Sequence, residues 1–164
     1  MSSQLSSDTQ SDMSGSAKIL VGKDPAEMSK HLCNAVERLF NSREDKEAAF
    51  VIGLSGGSLP NFFAMGAAAM NVDWAKVKFV FCDERLVPFD DADSTYGVYK
   101  KTDIFKLKGV DESSFVAIDP TLEVSDAAQS YAEKLTVFKK RFELIFLLLI
   151  DTLIVMQYIK APTR

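Results

Sequence analysis

Apolar residues along this chain fall into two textures, short near-continuous runs and longer stretches in which they return every three or four positions. The runs are Lys18-Ile19-Leu20-Val21, Ala48 to Leu54, Val77 to Cys82, Phe115-Val116-Ala117-Ile118 and the apolar stretch from Phe142 to Met156. Each reads as a strand, and their near-continuous apolar character suits strands covered on both faces. Between them, Asp24-Pro25 offers an N-cap and a first-turn proline for a helix that buries Met28, Leu32, Ala35, Val36 and Leu39 and turns Lys30, Asn34, Glu37 and Arg38 to solvent. A second helix is expected behind Pro60, through Asn61 to Met65. A third runs from a Ser94 or Thr95 cap through Tyr96, Val98, Tyr99, Ile104 and Phe105, and a fourth from a Ser125 cap with Ala128, Tyr131, Ala132 and Leu135 on one face. This alternation predicts an α/β fold, a doubly wound, mostly parallel, Rossmann-like sheet with helices on both faces.

Composition narrows the function classes. At 164 residues and 47% hydrophobic the chain has material for one domain with a real core, and a net charge of −4 argues against a nucleic-acid partner. Cys33 and Cys82 form neither a CxxC pair nor a metal-ligand spacing, which points to a reduced, cytoplasmic compartment and no structural metal. Residues 1–16, rich in Ser with Asp and Gln, lack the apolar core of a targeting signal and read as a disordered leader. Glu143 and Asp151 interrupt the stretch from Phe142 to Met156, so it is expected as a buried strand and not as a membrane span.

The candidate chemistry begins at Val51-Ile52-Gly53-Leu54-Ser55-Gly56-Gly57-Ser58-Leu59-Pro60, an apolar run that breaks into small residues and then a helix start. Gly56 and Gly57 let successive N–H groups face an anion, Ser55 and Ser58 add hydroxyls, and the helix dipole favours a phosphate. The loop lacks both the Gly-Lys-Ser/Thr ending of a P-loop and the glycine spacing of a dinucleotide fingerprint, which excludes neither a smaller phosphate ligand nor an ordinary turn that binds nothing. The third strand ends in Asp83-Glu84-Arg85, charges set where a parallel sheet opens to ligands. Asp90, Asp91 and Asp93 lack the glycine and terminal glutamate of a calcium loop and read as a solvated connection. His31, the one histidine, lies beside the apolar stripe of the first helix and reads as a boundary residue.

Taken in order, these segments resemble the 6-phosphogluconolactonase family within the glucosamine-6-phosphate isomerase/deaminase superfamily. The resemblance rests on Gly53 to Pro60, on Trp74 ahead of Phe81-Cys82-Asp83-Glu84-Arg85-Leu86-Val87-Pro88, on Asp93-Ser94-Thr95-Tyr96-Gly97, and on Phe142 to Leu147. Ser58-Leu59-Pro60 stands where the family has Ser-Thr-Pro, and Ser94-Thr95-Tyr96 where it has Ser-Asn-Tyr. The resemblance implies hydrolysis of 6-phospho-D-glucono-1,5-lactone to 6-phosphogluconate in the oxidative pentose phosphate pathway, without metal or organic cofactor. It implies a substrate site at Ser55, Gly56, Gly57, Ser58, Asp83, Glu84 and Arg85, in which Arg85 reaches the ligand; Asp83 and Glu84 are read as orienting Arg85 and the neighbouring backbone rather than as acid or base.

The departure from the family carries equal weight. After the strand matching Phe142 to Leu147, the family continues into Gly-Met-Gly-Pro-Asp-Gly-His-Thr, whose histidine is its general base, whereas this chain reads Leu148-Leu149-Ile150-Asp151-Thr152-Leu153-Ile154-Val155-Met156. The expected organisation is therefore a leader over 1–16, the N-terminal part of the lactonase domain over 17–147, incomplete on its C-terminal side, and a divergent apolar tail over 148–164. A positioned general base is worth about 10²–10⁴-fold, so at best residual catalysis is expected. Exposed aliphatic residues near Leu144 to Ile150 make the chain aggregation-prone unless the tail folds back over them. Two alternatives stand beside hydrolysis, a non-catalytic sugar-phosphate binder and an amino-sugar-phosphate deaminase or isomerase of the same superfamily.

Overall fold

A computed structural model of the chain describes residues 20–138, together with strands at 142–149 and 152–156. Its centre is β1, Phe50–Leu54, in which every residue is buried. Beside it lie β2, Val77–Phe81, then β3, Phe115–Val116; on the other side lie β4, Phe142–Leu149, and β5, Thr152–Met156, giving the sheet order β3-β2-β1-β4-β5. The first four strands are parallel and β5 runs antiparallel to β4. The α/β fold with a mostly parallel sheet is as the alternation predicts.

Strand periodicity sorts the core. Phe50, Ile52 and Leu54 of β1, with Val77, Phe79 and Phe81 of β2, join one apolar cluster, while Val51 and Val80 are buried on the opposite side. The cluster is completed by helices α1, Pro25–Ser42, α2, Leu59–Ala67, and α3, Thr95–Lys100, through Leu32, Val36, Phe63, Tyr96 and Tyr99. Stacked and edge-on rings knit it, with Phe115 centred 4.7 Å from both Phe79 and Phe105 and Phe89 4.7 Å from Tyr96. Each such pair adds about 0.5–1.5 kcal/mol beyond burial. Successive crossovers step from β1 to β2 to β3, then return across the sheet to β4; right-handedness therefore sends α4, Val124–Leu135, to the other face.

Local chemistry explains the helices that match expectation and those that do not. Asp24 caps α1 by accepting the Glu27 N–H at 2.8 Å, and the buried stripe contains Leu32 and Val36 together with Ser29, Cys33 and Phe40, with His31 half-exposed at its border. Leu20 and Val21 are exposed and belong to no strand, because the N–H groups of Gly22 and Lys23 turn to Met28 and Glu27 in the first turns of α1; Lys18 and Ile19 lie outside the described residues. The third helix stops at Lys100, where the Thr102 hydroxyl donates to the Tyr99 carbonyl at 2.7 Å, and Ile104 and Phe105 fall in a separate short helical turn. Glu123, not Ser125, precedes α4, and the face turned inward carries Ala127 and Tyr131, leaving Ala128 and Ala132 exposed. Tyr131 sets that rotation by gripping the end of β2. The stretch from Phe142 to Met156 forms two strands rather than one, so the tail does fold back, pairing Ile145 with Met156 through Leu149 with Thr152.

Candidate functional site

In the order β3-β2-β1-β4, the connections leave β1 in opposite directions, so the carboxyl end of β1 is the topological switch point where open α/β sheets bind ligands. The Ser55-Gly56-Gly57-Ser58 loop lies there. Gly57 has φ 68°, a left-handed conformation that a side chain disfavours, and α2 starts immediately after Ser58 with Pro60 in its first turn. Ser55 is buried and its carbonyl accepts the Tyr99 hydroxyl at 3.1 Å. No acceptor among the described residues takes the N–H of Gly56 or Gly57.

The neighbouring strand delivers the charges. The Cys82 N–H donates to the Leu54 carbonyl at 2.7 Å, carrying the β1–β2 ladder one step beyond the strands and fixing where Asp83-Glu84-Arg85 begins. The Glu84 carboxylate accepts the N–H groups of Arg85 at 2.8 Å, Thr95 at 2.7 Å and Tyr96 at 2.8 Å. It therefore neutralises the start of α3, which Ser94 caps through the Gly97 N–H at 3.0 Å. Gly97 is obligatory there, since a Cβ would stand 2.0 Å from the Phe89 carbonyl oxygen. Tyr131 clasps the other side of the β2 end, accepting the Phe81 N–H at 2.6 Å and donating to its carbonyl at 2.9 Å.

Together these elements enclose an open groove of about 300 Å³ lined by Gly56, Gly57, Asp83, Arg85, Asp93 and Thr95, with Ala92, Ser94 and Val98 completing its wall. Of the residues expected to bind, Gly56, Gly57, Asp83 and Arg85 meet in it. Ser55 lies beneath it, Ser58 is exposed at the helix start, and Glu84 spends its carboxylate on backbone; none of the three lines the groove. Asp93 and Thr95 line it without having been singled out from their residue types, although both fall in the quoted Asp93 to Gly97 segment. His31 is on α1 and outside the lining. Among the described residues no cluster of His, Cys, Asp and Glu could hold a metal ion.

Three groups that ordinarily titrate in the alkaline range are held protonated beyond it. Burial pushes the Tyr99 hydroxyl well above its ordinary range, and desolvation followed by the Asp83 charge lifts the Cys82 thiol to about 11. Burial likewise raises the Tyr131 hydroxyl to about 12. The two tyrosine hydroxyls donate to backbone carbonyls, and at neutral pH none of the three groups is a nucleophile.

Residues 23–149 match the family described as glucosamine-6-phosphate isomerases/6-phosphogluconolactonase. The chain is 41% identical over 123 residues to the 6-phosphogluconolactonase of Rattus norvegicus, covering 71% of this chain and 48% of that protein. It is 33% identical to a probable 6-phosphogluconolactonase of Drosophila melanogaster, covering 84% of this chain and 56% of the relative. The solved structure of 6-phosphogluconolactonase from Trypanosoma cruzi superposes with a TM-score of 0.62 at 26% identity, over 77% of this chain and 52% of that one. The chain thus spans about half the length of the curated relatives it matches.

Proposed function

The chain belongs to the glucosamine-6-phosphate isomerase/6-phosphogluconolactonase family, and from that premise we propose that its groove takes 6-phospho-D-glucono-1,5-lactone and its hydrolysis product, 6-phosphogluconate. The observation that carries the reading is the meeting of unspent donors from two strand ends. The N–H groups of Gly56 and Gly57 and the Arg85 guanidinium, which no carboxylate pairs among the described residues, line one groove. A guanidinium offers paired, charge-assisted donors to a phosphate or to a developing oxyanion. Asp83 and Asp93 would repel a bare anion but accept hydroxyl protons, so the mixed lining fits a ligand with one anionic end and a polyol chain.

Hydrolysis requires water to add at the lactone carbonyl, the ring C–O bond to break and the departing ring oxygen to gain a proton. The sole histidine of the sequence, His31, is outside the groove, so the lining contributes no imidazole to move those protons. That favours a second reading for this chain, binding of the sugar phosphate with little turnover. A cytoplasmic place in the oxidative pentose phosphate pathway follows from the same reading; no helix among the described residues is long and apolar enough to cross a membrane.

Calorimetry with 6-phosphogluconate tests the reading, alongside a lactone assay corrected for spontaneous hydrolysis. Binding that is lost on Arg85→Ala supports it, and lactone turnover above the spontaneous rate separates hydrolase from binder. Absence of binding in the unmodified chain, or turnover of glucosamine 6-phosphate with none of the lactone, overturns it.

A further inference from the structure

We propose that Tyr99 is a positioning residue for the glycine loop: its hydroxyl fixes the Ser55–Gly56 peptide so that the Gly56 N–H faces the groove. The identity of the ligand rests on the reading above; the orientation of the peptide does not. Tyr99 is fully buried, and its hydroxyl donates to the Ser55 carbonyl at 3.1 Å from a position 44 residues away in sequence. In a trans peptide the C=O and N–H of one plane point in opposite directions. With the Ser55 carbonyl turned inward to Tyr99, the Gly56 N–H of that peptide is turned outward, where Gly56 lines the groove and no described acceptor takes its proton.

The clamp has work to do because the position it holds is a glycine. Gly56 lacks the Cβ that would restrict its backbone, so rotating the Ser55–Gly56 peptide is sterically cheap. Rotation would bury the N–H and present a carbonyl oxygen to an anion, reversing the sign of the dipole in the groove. Tyr99 is well placed to prevent it. Its helix, α3, is anchored by Glu84 from the end of β2, so the strand that carries Arg85 also holds the helix that orients the β1 loop. Burial keeps the hydroxyl protonated, so the donor persists throughout the neutral range.

Tyr99→Phe keeps the ring and removes the donor, and amide NMR of the ligand-free chain reads the result directly. The expected outcome is a changed Gly56 amide shift in Tyr99→Phe. Tyr131→Phe, which removes a comparable hydroxyl from the β2 end, should leave the Gly56 amide in place. Titration with 6-phosphogluconate should then be about tenfold weaker in Tyr99→Phe, the loss expected for one misdirected hydrogen bond. An unmoved Gly56 amide in a folded Tyr99→Phe variant overturns the proposal. Should that variant not fold, the unmodified chain decides: rapid solvent exchange of the Gly56 amide with a slowly exchanging Tyr99 hydroxyl supports it, and a Gly56 amide protected without ligand overturns it. Failure of the unmodified chain to bind 6-phosphogluconate removes the functional reading and leaves the ligand-free comparison to judge Tyr99.

Discussion

The Glu84 carboxylate accepts the Thr95 N–H at 2.7 Å, tying the tip of β2 to the first residue of α3 across eleven positions of sequence. The same carboxylate also takes the N–H groups of Arg85 and Tyr96, so one side chain sets the spacing between Arg85 and Thr95, two residues that line the groove. The acidic loop between them is thereby closed into a frame. Glu84→Gln replaces a three-donor acceptor by an amide with one oxygen and two unwanted donors. Hydrogen bonds to charged groups contribute about 1.5–3 kcal/mol, so a loss of about that size is expected in urea unfolding. Asp83→Asn, whose carboxylate lines the groove, should alter ligand affinity while changing stability by less than about 0.5 kcal/mol. Equal stability losses for the two variants would show that Glu84 is not the tie.

Glycine substitutions should separate a packing requirement from a binding one. A Cβ at Gly97 would lie 2.0 Å from the Phe89 carbonyl oxygen and 3.1 Å from its carbon, both backbone atoms that cannot rotate away. Gly97→Ala is therefore expected to destabilise by more than about 4 kcal/mol or to prevent folding. At Gly56 the nearest obstacle is the Thr95 hydroxyl at 3.3 Å, which a rotamer change relieves. Gly56→Ala should fold with a near-normal melt and bind 6-phosphogluconate more weakly, because the added methyl intrudes on the groove. A folded, stable Gly97→Ala protein would contradict the first expectation, and undiminished binding by Gly56→Ala the second.

The uneven legibility of this chain follows from the range of the interactions involved. Strands β1 and β2 and helix α1 could be read because their signals are local: near-continuous apolar runs, and the Asp24-Pro25 cap ahead of a periodic stripe. The loop from Ser55 to Ser58 and the triplet from Asp83 to Arg85 could be placed at strand ends for the same reason. Which distant groups those charges meet could not be read. Its residue type and place suit Glu84 to orienting Arg85 and nearby backbone, but nothing local tells that the backbone includes a helix start eleven positions on. The rotation of α4 turns on Tyr131, whose hydroxyl pairs with a strand 50 residues earlier, and no periodicity within the helix records that bond. Asp93 and Thr95 join the groove only once Glu84 has pulled their segment against β2.

Alkaline pH should weaken the fold. The Cys82 thiol is pushed from 9.0 up to about 11 by desolvation and then by Asp83, and the Tyr131 hydroxyl from 10.0 to about 12 by burial. Both folded values lie above the ordinary ones, so the folded chain holds these protons more tightly than the unfolded chain does. The associated stability is fully present below about pH 9 and declines as pH rises, first through the Cys82 window and then through that of Tyr131. The urea midpoint should be level up to about pH 9 and fall beyond it. Cys82→Ser should make the decline above pH 9 shallower without abolishing it, because burial also raises the Cys33 thiol from 9.0. A midpoint that stays level to pH 11 in the unmodified chain would sink this account.

The pairing of β4 with β5 carries the last prediction. β4 lies between β1 and β5, and its pairing with β5 runs antiparallel from Ile145 with Met156 to Leu149 with Thr152. Its sequence, Phe-Glu-Leu-Ile-Phe-Leu-Leu-Leu, contains one charged residue and no proline. A long apolar strand with an open edge is a template for adding strands from other molecules, since its unpaired N–H and C=O groups are met by any extended chain. β5 removes that edge from β4 and replaces it with a shorter one, five residues long. Deleting residues 152–164 should therefore raise sedimentation and thioflavin binding above those of the unmodified chain. Leu153→Pro, in register with Leu148, should move part of the way, because proline cannot donate to a strand ladder. Analytical ultracentrifugation of the three proteins at matched concentration decides it. If the deleted chain sediments as the unmodified chain does and melts cooperatively at the same temperature, β5 is not what keeps β4 from self-association.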